Sequence, residues 1–169
     1  MKNKVKAKLI LIIFGALIIL LIPSCHTVQI LSKFPGYEID QSNINSQIVI
    51  YAPDGWNTFT IGEPISFAVD VMCDDPIIFS RNYNIAAYQK KEYIWVELDN
   101  VPETRNDGEV LLYPHSESPF NNGAASIIPI IEDQTKPVKL RVVVVGRIYK
   151  DEKKTDQLVG AYLDVWLYP

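Results

Sequence analysis

Two hydrophobic patterns share this chain. Residues 9–22 form an unbroken apolar run with Gly15 inside it. From Ile48 onward the apolar residues come in short runs, often at period two, between turn residues. Alternation at that period marks a strand with one buried face. The clearest case is 64–73, where Ile65, Phe67, Val69 and Val71 point to one side and Ser66 and Asp70 to the other. Cys73 continues the inward series as a small hydrophobe. Further strands are predicted at 48–51, 58–61, 77–80, 85–89, 93–98, 109–113 and 126–131. Lys90-Lys91 is expected at a hairpin tip, and Asn106-Asp107-Gly108 is a strong turn signal. Pro129 predicts an edge or a bulge for its strand.

The firmest pattern is at the C-terminal end. Runs 138–149 and 157–168 flank a charged stretch, 150–156, read as their loop. Val138, Leu140, Val142, Val144 and Ile148 make one face, and Val159, Ala161, Leu163, Val165 and Leu167 the matching one. One residue of slip would mix the faces, so the pairing is constrained. The expected register sets Arg141 across from Trp166 and Val145 across from Tyr162. No helix of convincing length follows residue 24. The chain reads as all-β: an immunoglobulin-like antiparallel sandwich of eight or nine strands over residues 48–169, behind an N-terminal signal or anchor helix.

Lys2, Lys4, Lys6 and Lys8 precede the apolar run. A basic head and an apolar stretch of roughly 7–15 residues describe an export signal, whereas a membrane span takes about 20. Ile22, Ser24 and Cys25 then resemble the lipobox of bacterial lipoproteins, with Pro23 departing from its usual small residue. The resemblance implies that residues 1–24 are a removable signal and that the Cys25 sulfur takes a diacylglyceryl group. The domain would then be lipid-anchored at the extracytoplasmic face of the cell membrane. An uncleaved N-terminal anchor and a soluble secreted product are the alternatives. Residues 25–47, with Pro35-Gly36 and a polar run from Ser42 to Gln47, read as a tether, part of which, near 39–44, can pack on the domain.

Composition narrows the function classes. Of the 16 Lys and Arg, four sit in the head, so the exported part carries 12 basic against 20 acidic residues, a formal −8. An acidic surface disfavours nucleic acid and anionic lipid as partners. With Cys25 acylated, Cys73 has no disulfide partner. Gly62-Glu63-Pro64-Ile65 and Asp75-Pro76-Ile77-Ile78 resemble the opening hairpin of immunoglobulin-like domains in bacterial lipoproteins. They are also similar to the sandwich of BsuPI-type proteinase-inhibitor domains. The second resemblance implies inhibition through an exposed loop, 114–123.

Catalytic chemistry has thin support. His26 and His115 are the two histidines. His115 lies in Pro114-His115-Ser116-Glu117-Ser118-Pro119 without a nucleophile elbow, which leaves a hydrolase using His115 as a distant alternative. No metal-ligand spacing occurs, and Asp74-Asp75 and Glu132-Asp133 read as turn carboxylates. No catalytic residue, metal or cofactor is expected. The suggestive feature is a row on the last strand, Tyr162, Asp164, Trp166 and Tyr168, opposite its core face. With Arg141 placed over Trp166, a pair contributing about 0.5–1 kcal/mol, Tyr162, Trp166, Tyr168 and Arg141 form a candidate ligand platform. Its partner would be an envelope protein or a glycan.

Overall fold

The computed structural model describes residues 36–52, 55–102, 108–114 and 123–169. All of these belong to the unit Lys33–Pro169. The leader with its expected helix, Cys25, His115 and most of the 114–123 loop lie outside the described residues. No helix among those described is long and apolar enough to cross a membrane.

Among the described residues eleven strands follow in order: β1 (Ile48–Tyr51), β2 (Thr58–Thr60), β3 (Ile65–Val71), β4 (Ile77–Phe79), β5 (Ala86–Lys91), β6 (Ile94–Leu98), β7 (Asn100–Pro102), β8 (Val110–Leu112), β9 (Gly123–Pro129), β10 (Val138–Lys150) and β11 (Lys153–Tyr168). They make two open sheets. The smaller has the order β1-β3-β9-β7. The larger has the order β2-β11-β10-β4-β8, with the β5–β6 hairpin also pairing onto β10. One long strand therefore carries the larger sheet. β10 pairs with β11 along its length, while its other edge is shared by β5 at residues 140–143 and β4 at 146–148.

The alternating residues build the core as their spacing predicts. Ile65, Phe67, Val69 and Val71 of β3 face Leu140, Val142 and Val144 of β10 and Val159, Ala161, Val165 and Leu167 of β11 in one buried cluster. Ile48 and Ile50 of β1 and Ile77 and Phe79 of β4 complete it. Cys73 packs against this cluster, half-buried, and its Sγ donates to the carbonyl of Asp75 at 3.2 Å. Burial pushes that thiol up, outweighing the hydrogen bonds that lower it.

The structure corrects several expectations. Asp70 does lie on the side of β3 away from the core, yet it is buried. The β5–β6 tip is Glu92-Tyr93, between the paired Lys91 and Ile94, with Glu92 at positive φ. β9 is an interior strand between β3 and β7. Pro129 is tolerated there because it is the last residue of the strand, and the next amide, Ile130 N–H, makes the bond to Asp99 O at 2.8 Å. β7 was not expected from the pattern.

The β10–β11 register differs by two residues from the expected one: Arg141 lies across from Asp164, and Val143 from Tyr162. The stretch 150–156 is not a loop. The strands close at a two-residue turn, Asp151-Glu152, both at positive φ as a type I′ turn requires. An irregularity between Arg147 and Tyr149 then shifts the pairing. Thr155 holds it by donating its hydroxyl to Ile148 O at 2.9 Å. Because the extra residues number two, side-chain parity survives and the core faces stay matched.

Gly146 sits in β10 where Ile77 and Phe79 of β4 close over it. A Cβ there would meet Ile77 Cγ2 at 2.5 Å and the Phe79 ring at 3.0 Å. Gly146→Val is expected to cost about 1–3 kcal/mol through overpacking, read as a lower urea midpoint with an unchanged slope.

Candidate functional site

The outer face of the larger sheet holds the residues that the sequence singles out. Its neighbouring strands run β6-β5-β10-β11, and the pairing sets Glu97, Tyr88, Arg141 and Asp164 in one row across all four. Arg141 is the centre of that row. Its guanidinium clasps Asp164 with two bonds, Nε to Oδ1 at 2.6 Å and Nη2 to Oδ2 at 2.9 Å. The guanidinium carbon also lies 3.9 Å from the Tyr162 ring centroid and 4.5 Å from that of Trp95. Only 8% of Arg141 is exposed. A planar fork that matches a carboxylate and stacks on rings is what arginine supplies and lysine does not.

Lys139, one step along β10, places its Nζ 3.3 Å from Asp164 Oδ2. Burial pushes the Asp164 carboxyl up, but the hydrogen bonds and charge of Arg141, with the charge of Lys139, outweigh it and hold the group below the usual carboxylate range. Asp164 is thus ionised at neutral pH and fully engaged.

One half of this face is covered. Residues 36–45, read as tether, fold over it as a strap. Ile39 joins Ala86, Tyr88, Val143 and Val145 in a second buried cluster, with Ile44, Trp95, Leu158 and Tyr162 packed against it. Asn45 fixes the end of the strap to β11: its N–H donates to Gly160 O at 2.9 Å, and its Oδ1 accepts the Tyr162 N–H at 2.8 Å. At the other end Gly36, at φ +83, rests on the Tyr88 hydroxyl, where a Cβ would collide. Burial, then the charge of Glu97, then Tyr37, push the Tyr88 hydroxyl up to about 12, so it stays protonated. Burial and Glu97 act on Tyr37 in the same direction.

The four platform residues therefore divide. Arg141 and Tyr162 meet as a stacked pair beneath the strap, with Trp95 and Asp164 as partners the expected register did not bring in. Arg141 does not lie over Trp166. Trp166 and Tyr168 stand apart from them, 42% and 46% exposed, at the end of the face where Lys139 sits directly across from Trp166. β2 borders them in parallel, Thr58 beside Trp166 and Thr60 beside Tyr168. Asp164 was legible as a member of the outward row. Its role was hidden because a two-residue slip exchanges it with Trp166 opposite Arg141.

The turn carboxylates are paired with lysines: Asp75 with Lys150 at 3.7 Å, Asp133 with Lys136 at 3.6 Å and Glu132 with Lys91 at 4.0 Å. Among the described residues no group of three His, Cys, Asp or Glu side chains is placed to hold a metal ion.

No family model matches the chain, and no curated protein matches it. Among solved structures, AvmM, described as catalysing macrocyclization in alchivemycin A biosynthesis, aligns at 14% identity over 80% of this chain and 97% of its own, with a TM-score of 0.29. A likeness of that size carries neither fold nor activity across.

The clasp generates two predictions. Arg141→Lys loses the fork and the stacking and leaves Asp164 with ammonium partners alone, Lys139 among them, so chemical denaturation is expected to show a loss of about 2 kcal/mol. Asp164 has its folded-state carboxyl depressed, so its contribution is present above the unfolded carboxylate range and is lost as pH falls through the lower folded value. The stability gap between the wild type and Asp164→Asn is therefore expected to be widest at neutral pH and to close in acid. A gap independent of pH would contradict the clasp.

Proposed function

We propose that this chain is a lipid-anchored, extracytoplasmic lipoprotein whose immunoglobulin-like sandwich acts by binding rather than by catalysis. The observation that carries the reading is the leader: a basic head, the apolar run 9–22 and a lipobox-like ending at Cys25. Two or more acyl chains hold a protein stably at a membrane, whereas one does so marginally.

The fold supports the finer, immunoglobulin-like reading by the way the chain enters it. β1 pairs antiparallel with β3 in one sheet, and β2 then pairs parallel with the last strand, β11, in the other. The first stretch of sandwich is thus divided between the two layers. The binding reading is supported by what the outer face leaves accessible. Arg141 and Asp164 are occupied with each other, whereas Trp166 and Tyr168 offer aromatic surface beside Lys139. An envelope protein or a glycan fits such a surface. The inhibitor reading through 114–123 and the hydrolase reading through His115 draw no support from geometry, since His115 and all of that loop but its two end residues lie outside those described.

Mass spectrometry of the native N-terminal peptide is expected to find a diacylglyceryl group on Cys25 and none of residues 1–24. Cys25→Ser should leave the leader uncleaved and unlipidated. An unmodified Cys25 in the mature wild-type protein would remove the lipoprotein reading. For the surface, Trp166→Ala is expected to abolish capture of an envelope component while leaving the thermal midpoint almost unchanged, because the indole is half out of the fold. A large drop in the midpoint would make Trp166 a packing residue.

A further inference from the structure

The row beside the Arg141 row crosses five strands. Two residues along each strand from Glu97, Tyr88, Arg141 and Asp164 stand Trp95, Lys90, Lys139 and Trp166, on the same outer face. Lys90 pairs with Trp95, Lys139 with Trp166, and Thr58 of β2 borders Trp166 on its other side. The register that sets Leu140 across from Gln89 and Arg141 across from Tyr88 brings Lys90 and Lys139 across from each other at its next step. The row is therefore indole, ammonium, ammonium, indole, hydroxyl. Its indoles stand three strand spacings apart, about 14 Å. The buried strap residue, Ile39, packs with Ala86, Tyr88, Val143 and Val145, none of which belongs to this row. Lys90, Trp166 and Thr58 are exposed, and Trp95 and Lys139 half-buried.

Like charges set across a strand pair repel. Among the described residues Lys90 has no ion pair to offset that repulsion. The carboxylates nearby are engaged or out of line. Asp164 is held by Arg141 and Lys139, Glu132 pairs with Lys91, Glu97 lies one row away beside Tyr88, and Glu92 is in the turn. An ammonium has three donors, so Lys139 keeps some beyond the one turned to Asp164. The exported part is acidic as a whole, so attraction for an anion is local to this row. Protein interfaces are depleted in lysine, and most of all in charge at their cores, so a lysine pair at the centre of the row does not suit a protein partner. A sugar chain brings C–H faces for the indoles and hydroxyls for Thr58, and an acidic one adds the anion. The span exceeds one sugar ring.

We propose that this row binds an acidic oligosaccharide, with sugar faces on Trp95 and Trp166 and a carboxylate or phosphate between Lys90 and Lys139. The inference rests on the binding reading above and, of its two occupants, takes the glycan. Arg141 stacks on Trp95 at 4.5 Å and so holds that indole in place before a ligand arrives.

The test is binding of the full chain, solubilised in detergent, to an array of neutral, uronic-acid and phosphate-bearing oligosaccharides. Acidic members of one or both kinds are expected to bind in preference to neutral ones, and less as salt rises. Lys90→Gln, at an exposed position without an ion pair, is expected to weaken that binding by about two- to fivefold. Lys90→Gln with Lys139→Gln is expected to remove the preference for acidic members, and Trp166→Ala to lower binding of all members. Should the double change lower the thermal midpoint, Lys90→Gln alone decides. Acidic binding that is unchanged in the lysine variants overturns the proposal, as does equal binding of neutral and acidic members by the wild type. A chain that binds no glycan, while Trp166→Ala still abolishes capture of an envelope protein, overturns the proposal and leaves the binding reading standing. A Trp166→Ala chain that captures all that the wild type captures removes both.

Discussion

β10 is buried on both sides, and most of the architecture answers to that constraint. Leu140, Val142 and Val144 face the sandwich core, while Val143 and Val145 face the other way and are equally inaccessible. A strand with one wet face alternates; a strand covered on both faces reads as a continuous apolar run. The run from Val142 to Val145 is of the second kind. Something must cover the outer valines, and the segment that does so is the strap, through Ile39. The one charge set among them, Arg141, obeys the same constraint. A buried cation is tolerated only with its partners in place, and Asp164, Tyr162 and Trp95 supply them.

The strap is the weakest part of this arrangement on energetic grounds. Its ten residues bury one isoleucine fully, Ile39, and make few hydrogen bonds to β11. Without the strap, Ala86, Tyr88, Val143 and Val145 would form an apolar patch open to water. The strap is held as much by what it hides as by what it touches, which is how a tether comes to be part of a domain.

The core was legible in the sequence because period-two alternation is a local signal with a large energetic consequence. Ile65, Phe67, Val69 and Val71, and the odd-numbered residues of β11 from Val159 to Leu167, take the faces their spacing assigns. Register was not legible to the same degree. The Asp151-Glu152 turn lacks glycine and asparagine, so its charged residues and the lysines beside them resemble a loop, and nothing local announces the irregularity near Ile148. β7 was missed because three residues give no period to read. The strap was legible only in part. Its polar residues suit a linker, and the reason it folds lies elsewhere in the chain, in the four consecutive valines.

The candidate site shows what a parity-preserving error does. A slip of two residues leaves every side chain on its proper face and so leaves the core unaffected. On the outer face, where chemistry depends on which particular groups meet, the same slip exchanges Asp164 for Trp166 beside Arg141. In one register the cation sits on an exposed indole and is open to a ligand. In the other it is locked to a carboxylate and two rings, and the indole stands free beside Lys139. The second arrangement leaves aromatic surface and a lysine as the accessible groups at that end of the face. The two halves of the outer face thus have different physical roles. The charged centre ties β10 to β11, and the aromatic end stays exposed.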